Sequence, residues 1–143
     1  MSGEELIEDV EGIVHEETQV TERGLDLTLA AVHDVEEPGR VDFGGDELDA
    51  ATTRPHETER RNAEDDYGWW RLEAGQYLAE FNERVSADES LRLQTRAAVR
   101  ERGAFHPTLF VREIERVPLS VPTGGIHLKE NARISTLLAP SDG

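Results

Sequence analysis

Carboxylates and guanidiniums are the side chains through which this sequence could do chemistry. It has no cysteine, so disulfides, thiolate nucleophiles and Cys-ligated zinc are excluded. His15, His33, His56, His106 and His127 form neither a helical metal-binding spacing nor a His-x-Glu zinc pattern, and no nucleophile elbow is present. His106-Pro107 and His127 read as turn and strand residues. Gly44-Gly45 and Gly124-Gly125 are isolated pairs, not a phosphate-binding loop. Asp, Glu and Arg side chains are left as the candidates. Arg96 falls in the first turn of a segment that reads as a short helix, which sets its guanidinium beside a helix N-terminus. Glu113 is a carboxylate that could act as a base. It also reads as part of an ordinary strand, Arg112-Glu113-Ile114-Glu115-Arg116, with a charged outer face. Asp26, between Leu25 and Leu27, reads from its surroundings as a polar residue on an outer strand face.

The elements that must position these groups are mostly short strands. Leu25, Leu27 and Leu29 alternate with Asp26 and Thr28, the period of a half-buried strand. Trp69-Trp70 opens a strand-rich second half. A turn over 72–75 leads into a strand over 76–85, Ser86-Ala87-Asp88-Glu89 reads as a turn, and Leu91 and Leu93 mark another strand. The segment 95–102 reads as a short helix with Thr95 as N-cap and Gly103 just past its end. Three strand signals close the chain: 109–116, the short 119–121, and 126–128 with 132–138 flanking a hairpin-like connection at Lys129-Glu130-Asn131. Leu6, Ile7, Val10, Ile13 and Val14 recur at helical spacing, so residues 1–18 are expected to carry a docked N-terminal helix, weakened by Gly12. Residues 36–68 hold Pro38-Gly39, Gly44-Gly45, Pro55 and many charges. They read as a long polar excursion with one short strand around Arg40 to Phe43, ordered by a neighbour if at all. The whole, 1–143, is expected to be one all-β domain, a sandwich or barrel with two short helices and no internal repeat.

Charge bounds the partners. Thirty-one acidic residues against fifteen basic ones give a net charge of −16, and Lys129 is the only lysine. Arg60-Arg61, the densest basic pair, is bracketed by acids, so the chain lacks the basic cluster that nucleic acid or an anionic membrane requires. A dense carboxylate surface suits a salt-loving cytoplasm, where screening over about 3 Å at 1 M salt removes most self-repulsion. No apolar run is long enough to span a bilayer, and the acidic N-terminus lacks a secretory pattern, so the cytoplasm is the expected location.

Four stretches, taken in order, resemble the dUTPase/dCTP-deaminase superfamily, most closely its archaeal members. Gln19 to Leu29, with Gly24-Leu25-Asp26-Leu27-Thr28-Leu29 at its end, is similar to the opening motif. Trp70 to Leu78 is similar to a Leu-x-Pro-Gly strand entry. Arg96-Ala97-Ala98-Val99-Arg100-Glu101-Arg102-Gly103 has the length of an Arg-Ser-Ser-Leu-x-Arg-x-Gly helix, and Asn131 to Leu137 is similar to Gly-x-Arg-Ile-Ala-Gln-Leu. The resemblance implies a distorted β-barrel of jelly-roll type, a homotrimer with nucleotide sites shared between subunits, a substrate such as dUTP or dCTP, and magnesium (Mg2+) on the phosphates.

The same resemblance implies residue roles. Asp26 would lie near the metal-triphosphate end, touching the metal through water. Arg96, Arg100, Gly103 and Arg133 would form the substrate-binding set, Arg96 opening the phosphate-contacting motif. Departures from the pattern are concentrated where the chemistry would be. Ala97 and Ala98 replace two serines, which forfeits about 1–3 kcal/mol of phosphate recognition per lost contact. Phe105 to Ile114 carries none of the Gly-aliphatic-Asp-x-x-Tyr-x-Gly pattern, leaving Glu113 as the nearest carboxylate to the expected catalytic position. Thr136 replaces a glutamine, and no glycine-rich arm follows Leu138. Two functions stay open: a dUTP diphosphatase releasing dUMP and pyrophosphate (dCTP deamination being the second choice), and a catalytically degraded relative that binds nucleotide or another subunit.

Overall fold

A computed structural model describes residues 3–140. The protein is all-β, built from antiparallel strands with a few single-turn helices. The strands are β1 (Val10–Glu11), β2 (Leu25–Glu37), β3 (Thr52–Pro55), β4 (Trp69–Leu72), β5 (Gly75–Phe81), β6 (Arg84–Thr95), β7 (Leu109–Glu113), β8 (Val117–Val121), β9 (Ile126–Lys129) and β10 (Arg133–Leu138). The main sheet runs β1-β6-β10-β2-β5-β8, with β3 also on β2 and β7 also on β6, while β4 and β9 form a separate pair. The alternating leucines do what their spacing predicts: Leu25, Leu27 and Leu29 are fully buried, as are Leu93, Leu119, Ile134 and Leu137 of the same core. Their neighbours do not face solvent. Asp26 and Thr28 are also buried, because the central strand β2 is covered on both faces.

The N-terminal segment is not one helix. It breaks into α1 (Gly3–Leu6), a 3-10 turn (Ile7–Asp9), β1, and α2 (Glu16–Gln19). The helical run ends at Asp9, where Val10 turns extended (φ −130°) to pair with Val85 of β6; Gly12, at φ +84°, makes the turn after β1, where a Cβ would lie 2.7 Å from the Asn82 carbonyl oxygen. Leu6 and Val10 still bury themselves in the core, but Val14 is exposed.

Three further differences have physical causes. Ser86 to Glu89, turn-like in local chemistry, lies inside β6, because β1 and β7 pair with that stretch (Val10↔Val85, Ser86↔Glu113). The actual turn is at Asn82-Glu83, whose side chains fold inward onto Thr28. Lys129-Glu130-Asn131 does not close a hairpin, since β9 pairs with β4 and β10 with β2 and β6. It turns a corner between sheets, with Asn131 at φ 67°. In the polar excursion, β2 runs on to Glu37, β3 adds to it, and Arg40 makes only an isolated bridge to Asp49. Two hydrogen bonds tie the far end of the excursion down: His56 Nδ1 to Asp34 Oδ1 at 2.9 Å, and Trp70 Nε1 donating to the His56 carbonyl at 3.1 Å.

Candidate functional site

Strand β10 brings the site together because it lies between β2 and β6. Thr136 sits opposite Asp26 on one side and Gln94 on the other, so three residues remote in sequence form one row across the sheet. Asp26 is the buried centre, its side chain only 6% exposed. Its Oδ1 accepts the Thr136 hydroxyl at 2.8 Å. Its Oδ2 accepts Arg133 Nη1 at 3.0 Å and faces Arg96 Nε at 3.4 Å. Arg96 and Arg133 keep 26% and 34% exposure, so two guanidiniums form an outward lip over one sealed carboxylate. One positive charge is left over for an incoming anion. The lip is braced by backbone carbonyls: Arg96 Nη1 donates to Arg133 O at 2.9 Å, and Arg133 Nη1 to Thr18 O at 3.3 Å.

The helix after Arg96 is a single turn, α3 (Ala97–Arg100), with Arg96 rather than Thr95 as its N-cap. Four residues carry little macrodipole, so the helix end adds little to a phosphate clamp and the guanidiniums supply the charge. Thr95 is drawn away from capping because its hydroxyl donates to the His106 carbonyl at 3.1 Å and accepts the His106 amide at 3.0 Å. Ala97 and Ala98 are exposed beside Arg96, presenting methyls. Gly103, at φ +91°, ends the turn with Pro122 packed 3.0 Å from where a Cβ would stand.

Arg100 and Gly103 line a neighbouring cavity of about 470 Å³, with Gln94, Phe105 and His106 on its walls. His106 lines this cavity, a placement that its sequence context does not disclose. Its Nδ1–H donates to the Pro107 carbonyl at 2.8 Å, which leaves Nε2 to accept the Ser135 hydroxyl at 2.6 Å. Burial pushes its pKa below the usual histidine value, the Pro107 carbonyl opposing that shift. The cavity is therefore lined by a neutral imidazole near neutral pH.

Glu113 does not join this group. It pairs with Ser86 at the opposite end of β6 from Arg96. At about 3.3 Å per residue the strand separates the two by roughly 30 Å, shortened somewhat by its register shift. Within one chain Glu113 cannot reach a phosphate held by Arg96. The buried carboxylate the sequence does not flag is Glu83, which accepts Thr28 N–H at 2.8 Å, the Thr28 hydroxyl at 2.6 Å and Gln19 Nε2 at 2.8 Å. Its position under the strand turn makes it structural.

No group of three or more His, Asp or Glu side chains among the described residues is arranged to hold a metal ion. Asp26, the one candidate ligand, already has both oxygens engaged by a hydroxyl and two guanidiniums. A resident magnesium does not fit this donor set. A magnesium arriving on a triphosphate belongs to the substrate.

No family model matches the chain. Proteins of Methanosarcina acetivorans and Methanosarcina mazei, each named a probable deoxyuridine 5'-triphosphate nucleotidohydrolase, are 32% and 31% identical to it over 136 residues, which is 90% of this chain and 76% of each relative. The 2'-deoxycytidine 5'-triphosphate deaminase of Agrobacterium tumefaciens, a solved structure, superposes with a TM-score of 0.58 at 16% identity. That match covers 91% of this chain but only 43% of the deaminase. It is a likeness of fold.

Proposed function

This chain belongs to the dUTPase/dCTP-deaminase superfamily, and from that membership we propose that it binds a deoxynucleoside triphosphate, as its magnesium complex, and hydrolyses dUTP to dUMP and pyrophosphate. The observation that carries the reading is the meeting of Asp26, Arg96 and Arg133, from three distant segments, at one half-exposed lip. Two guanidiniums around one carboxylate form an anion site with a built-in placeholder. A phosphate oxygen competing for Arg96 and Arg133 releases Asp26 Oδ2, and the freed carboxylate then orients water. The water oxygen bonds to the α-phosphorus, the bond to the bridging oxygen breaks, pyrophosphate leaves, and the water's proton passes to the carboxylate. Magnesium on the phosphates absorbs part of their charge. Arg100, Gly103 and the cavity wall beyond them take the rest of the nucleotide. The working unit is a homotrimer, measurable as solution mass by light scattering.

A second reading, nucleotide binding without turnover, is favoured by the methyls of Ala97 and Ala98 where hydroxyl donors would strengthen phosphate contacts, and by the distance of Glu113 from the lip. Pyrophosphate release from dUTP with magnesium in concentrated KCl, read beside titration calorimetry with dUTP, dCTP and dTTP, separates the two. Turnover that is abolished in Asp26→Asn supports the hydrolase. Tight binding with no product at any salt or pH supports the second reading, ammonia release from dCTP reassigns the reaction, and absence of binding removes both readings.

A further inference from the structure

His56 directly follows β3 and stands where the main sheet meets the β4–β9 pair. Its two ring nitrogens have separate partners. Nδ1 lies 2.9 Å from Asp34 Oδ1 on β2, and Nε2 lies 3.1 Å from the Arg71 carbonyl oxygen on β4. Both are hydrogen-bond distances, yet a backbone carbonyl and an ionised carboxylate only accept. A neutral imidazole has one N–H and can serve one of these two oxygens. Serving both takes two protons along the line from Asp34 through the ring to Arg71. That count holds whether the proton nearer Asp34 is assigned to the ring or to the carboxyl. The backbone of His56 also joins the two sheets: its amide donates to the Val32 carbonyl at 2.7 Å, and its carbonyl accepts Trp70 Nε1 at 3.1 Å.

The charged groups around the ring favour the second proton. Asp34, Arg54, Glu57 and Glu59 line one open cavity of about 680 Å³ with His56. The guanidiniums of the flanking strands are committed to carboxylates, Arg54 to Glu36 at 3.0 Å and Arg71 to Glu59 at 3.4 Å. Asp34, Glu36, Glu57 and Glu59 therefore outnumber Arg54 and Arg71 beside the imidazole. From β5, Tyr77 meets the ring edge-on with centroids 5.8 Å apart, and its hydroxyl donates to the Glu73 carbonyl at 2.8 Å. Burial and then the Asp34 charge push the Tyr77 pKa above the ordinary phenol value, so Tyr77 stays neutral where a histidine titrates. The His56 and Asp34 side chains keep 26% and 29% exposure, which leaves both open to protons from the cavity.

We propose that His56 is a proton-operated bolt between the sheets, holding β2 to β4 with two protons and releasing β4 when one is lost. The proton that remains stays between Nδ1 and the Asp34 charge, where the bond is charge-assisted. Nε2 then turns a lone pair toward the Arg71 carbonyl oxygen, and that contact becomes repulsive. The closed bolt binds one proton more than the open one, so it closes at low pH and opens as pH rises. The opening is local, because Trp70, Leu72, Ile126 and Leu128 hold the β4–β9 pair in the core. The bolt stands independently of the nucleotide reading, since it is tested by exchange and not by activity.

The Trp70 indole N–H reports on the β4 side of the bolt and the His56 amide on the β2 side. Hydrogen exchange at fixed KCl, corrected for its intrinsic pH dependence and read against β10 amides, follows both. The Trp70 indole should lose at least about tenfold in protection between about pH 6 and about pH 9, while the His56 amide keeps its own. Nitrogen-15 NMR of the wild-type rings should find His56 doubly protonated at a pH where the exposed His15 has lost one proton. Asp34→Asn tests the proton count. Its amide can donate to a bare Nδ1 while Nε2–H serves Arg71, so this variant should stay closed across the range. His56→Gln carries no titrating proton and should show no pH response. Wild-type protection that ignores pH, His56 and His15 losing their protons together, or either variant responding like wild type overturns the proposal.

Discussion

Asp26 holds three partners at once, and its substitution should read out differently on folding and on ligand binding. Replacing it by Asn removes the one negative charge between Arg96 and Arg133 while keeping the acceptor for Thr136. Breaking a wholly buried pair typically costs ~3–5 kcal/mol. Here both arginines are partly exposed and water screens them, so chemical denaturation should find a loss of about 2 kcal/mol. Because the same change strips the lip of its internal counter-ion, phosphate or nucleotide binding should weaken less than turnover does. Equal losses in the two would mean that Asp26 only shapes the site. His106 provides a second residue-scale test with a definite sign. Burial depresses its folded pKa below the ordinary histidine value of 6.5, so below that value the unfolded chain binds a proton that the folded chain refuses. Stability from this group is complete above about pH 6.5 and is lost as pH falls through the lowered folded value. Thermal melts from pH 7.5 downward should show this slope in the wild type and a shallower one in His106→Gln, where nothing at that position titrates. Identical slopes would remove His106 as the cause.

Between the residues and the whole molecule stand elements held by side chains from far along the chain. Gln19 is fully sealed and does four things: its Oε1 accepts the amides of Val14 and His15 at 2.9 and 2.7 Å, and its Nε2 donates to Asp26 O and to Glu83 at 2.9 and 2.8 Å. One amide thereby ties the N-terminal segment to β2 and to the turn between β5 and β6. Gln19→Leu leaves the Glu83 carboxylate and two backbone amides short of partners. An unsatisfied buried group costs about 1–3 kcal/mol, so hydrogen exchange at Val14 and His15 should accelerate by an order of magnitude or more while β10 amides stay protected. Uniform acceleration across the sheet would mean that the segment folds with the core as one unit. The same network explains which elements were legible. The Leu25–Leu29 strand declared itself through local alternation, as did the β4 start at Trp69 and the turn glycine Gly103. The burial of Asp26 and Thr28 did not, because their partners come from β6, β10 and Asn82-Glu83 and no local pattern encodes that pairing. Ser86 to Glu89 read as a turn for the same reason: its chemistry is polar, and only the edges of β1 and β7 extend it. In the candidate site, Asp26, Arg96 and Arg133 were readable as ordered motifs, whereas Gln94 and Ser135 enter through the β6–β10 register and His106 through its hydrogen bonds to Thr95 and Ser135. Glu113 shows the converse, a carboxylate near the site in sequence order but carried to the far end of β6 by the β7 pairing.

At the scale of the molecule, charge governs what happens outside the core. Thirty-one carboxylates against fifteen bases crowd one sign onto a small domain, and much of that excess sits on the weakly packed excursion, where Glu57, Glu59, Glu64 and Asp65 are exposed or half-exposed. No helix among the described residues is long and apolar enough to cross a membrane. At 0.1 M salt the screening length is about 10 Å, long enough for neighbouring carboxylates to repel across the surface; at 1 M it falls to about 3 Å and the repulsion is confined to direct contacts. Compact packing is what self-repulsion opposes. The melting temperature should therefore climb steeply between 0.1 and 1 M KCl and flatten beyond, since little remains to screen. Salting-out of apolar surface also stabilises folded chains, but it grows steadily with concentration and does not depend on net charge. A variant with Glu57, Glu59, Glu64 and Asp65 changed to their amides separates the two causes: these side chains touch little of the core, so the variant should start more stable at low salt and gain less on going to 1 M. If variant and wild type rise in parallel, the acidity is not what makes the fold depend on salt.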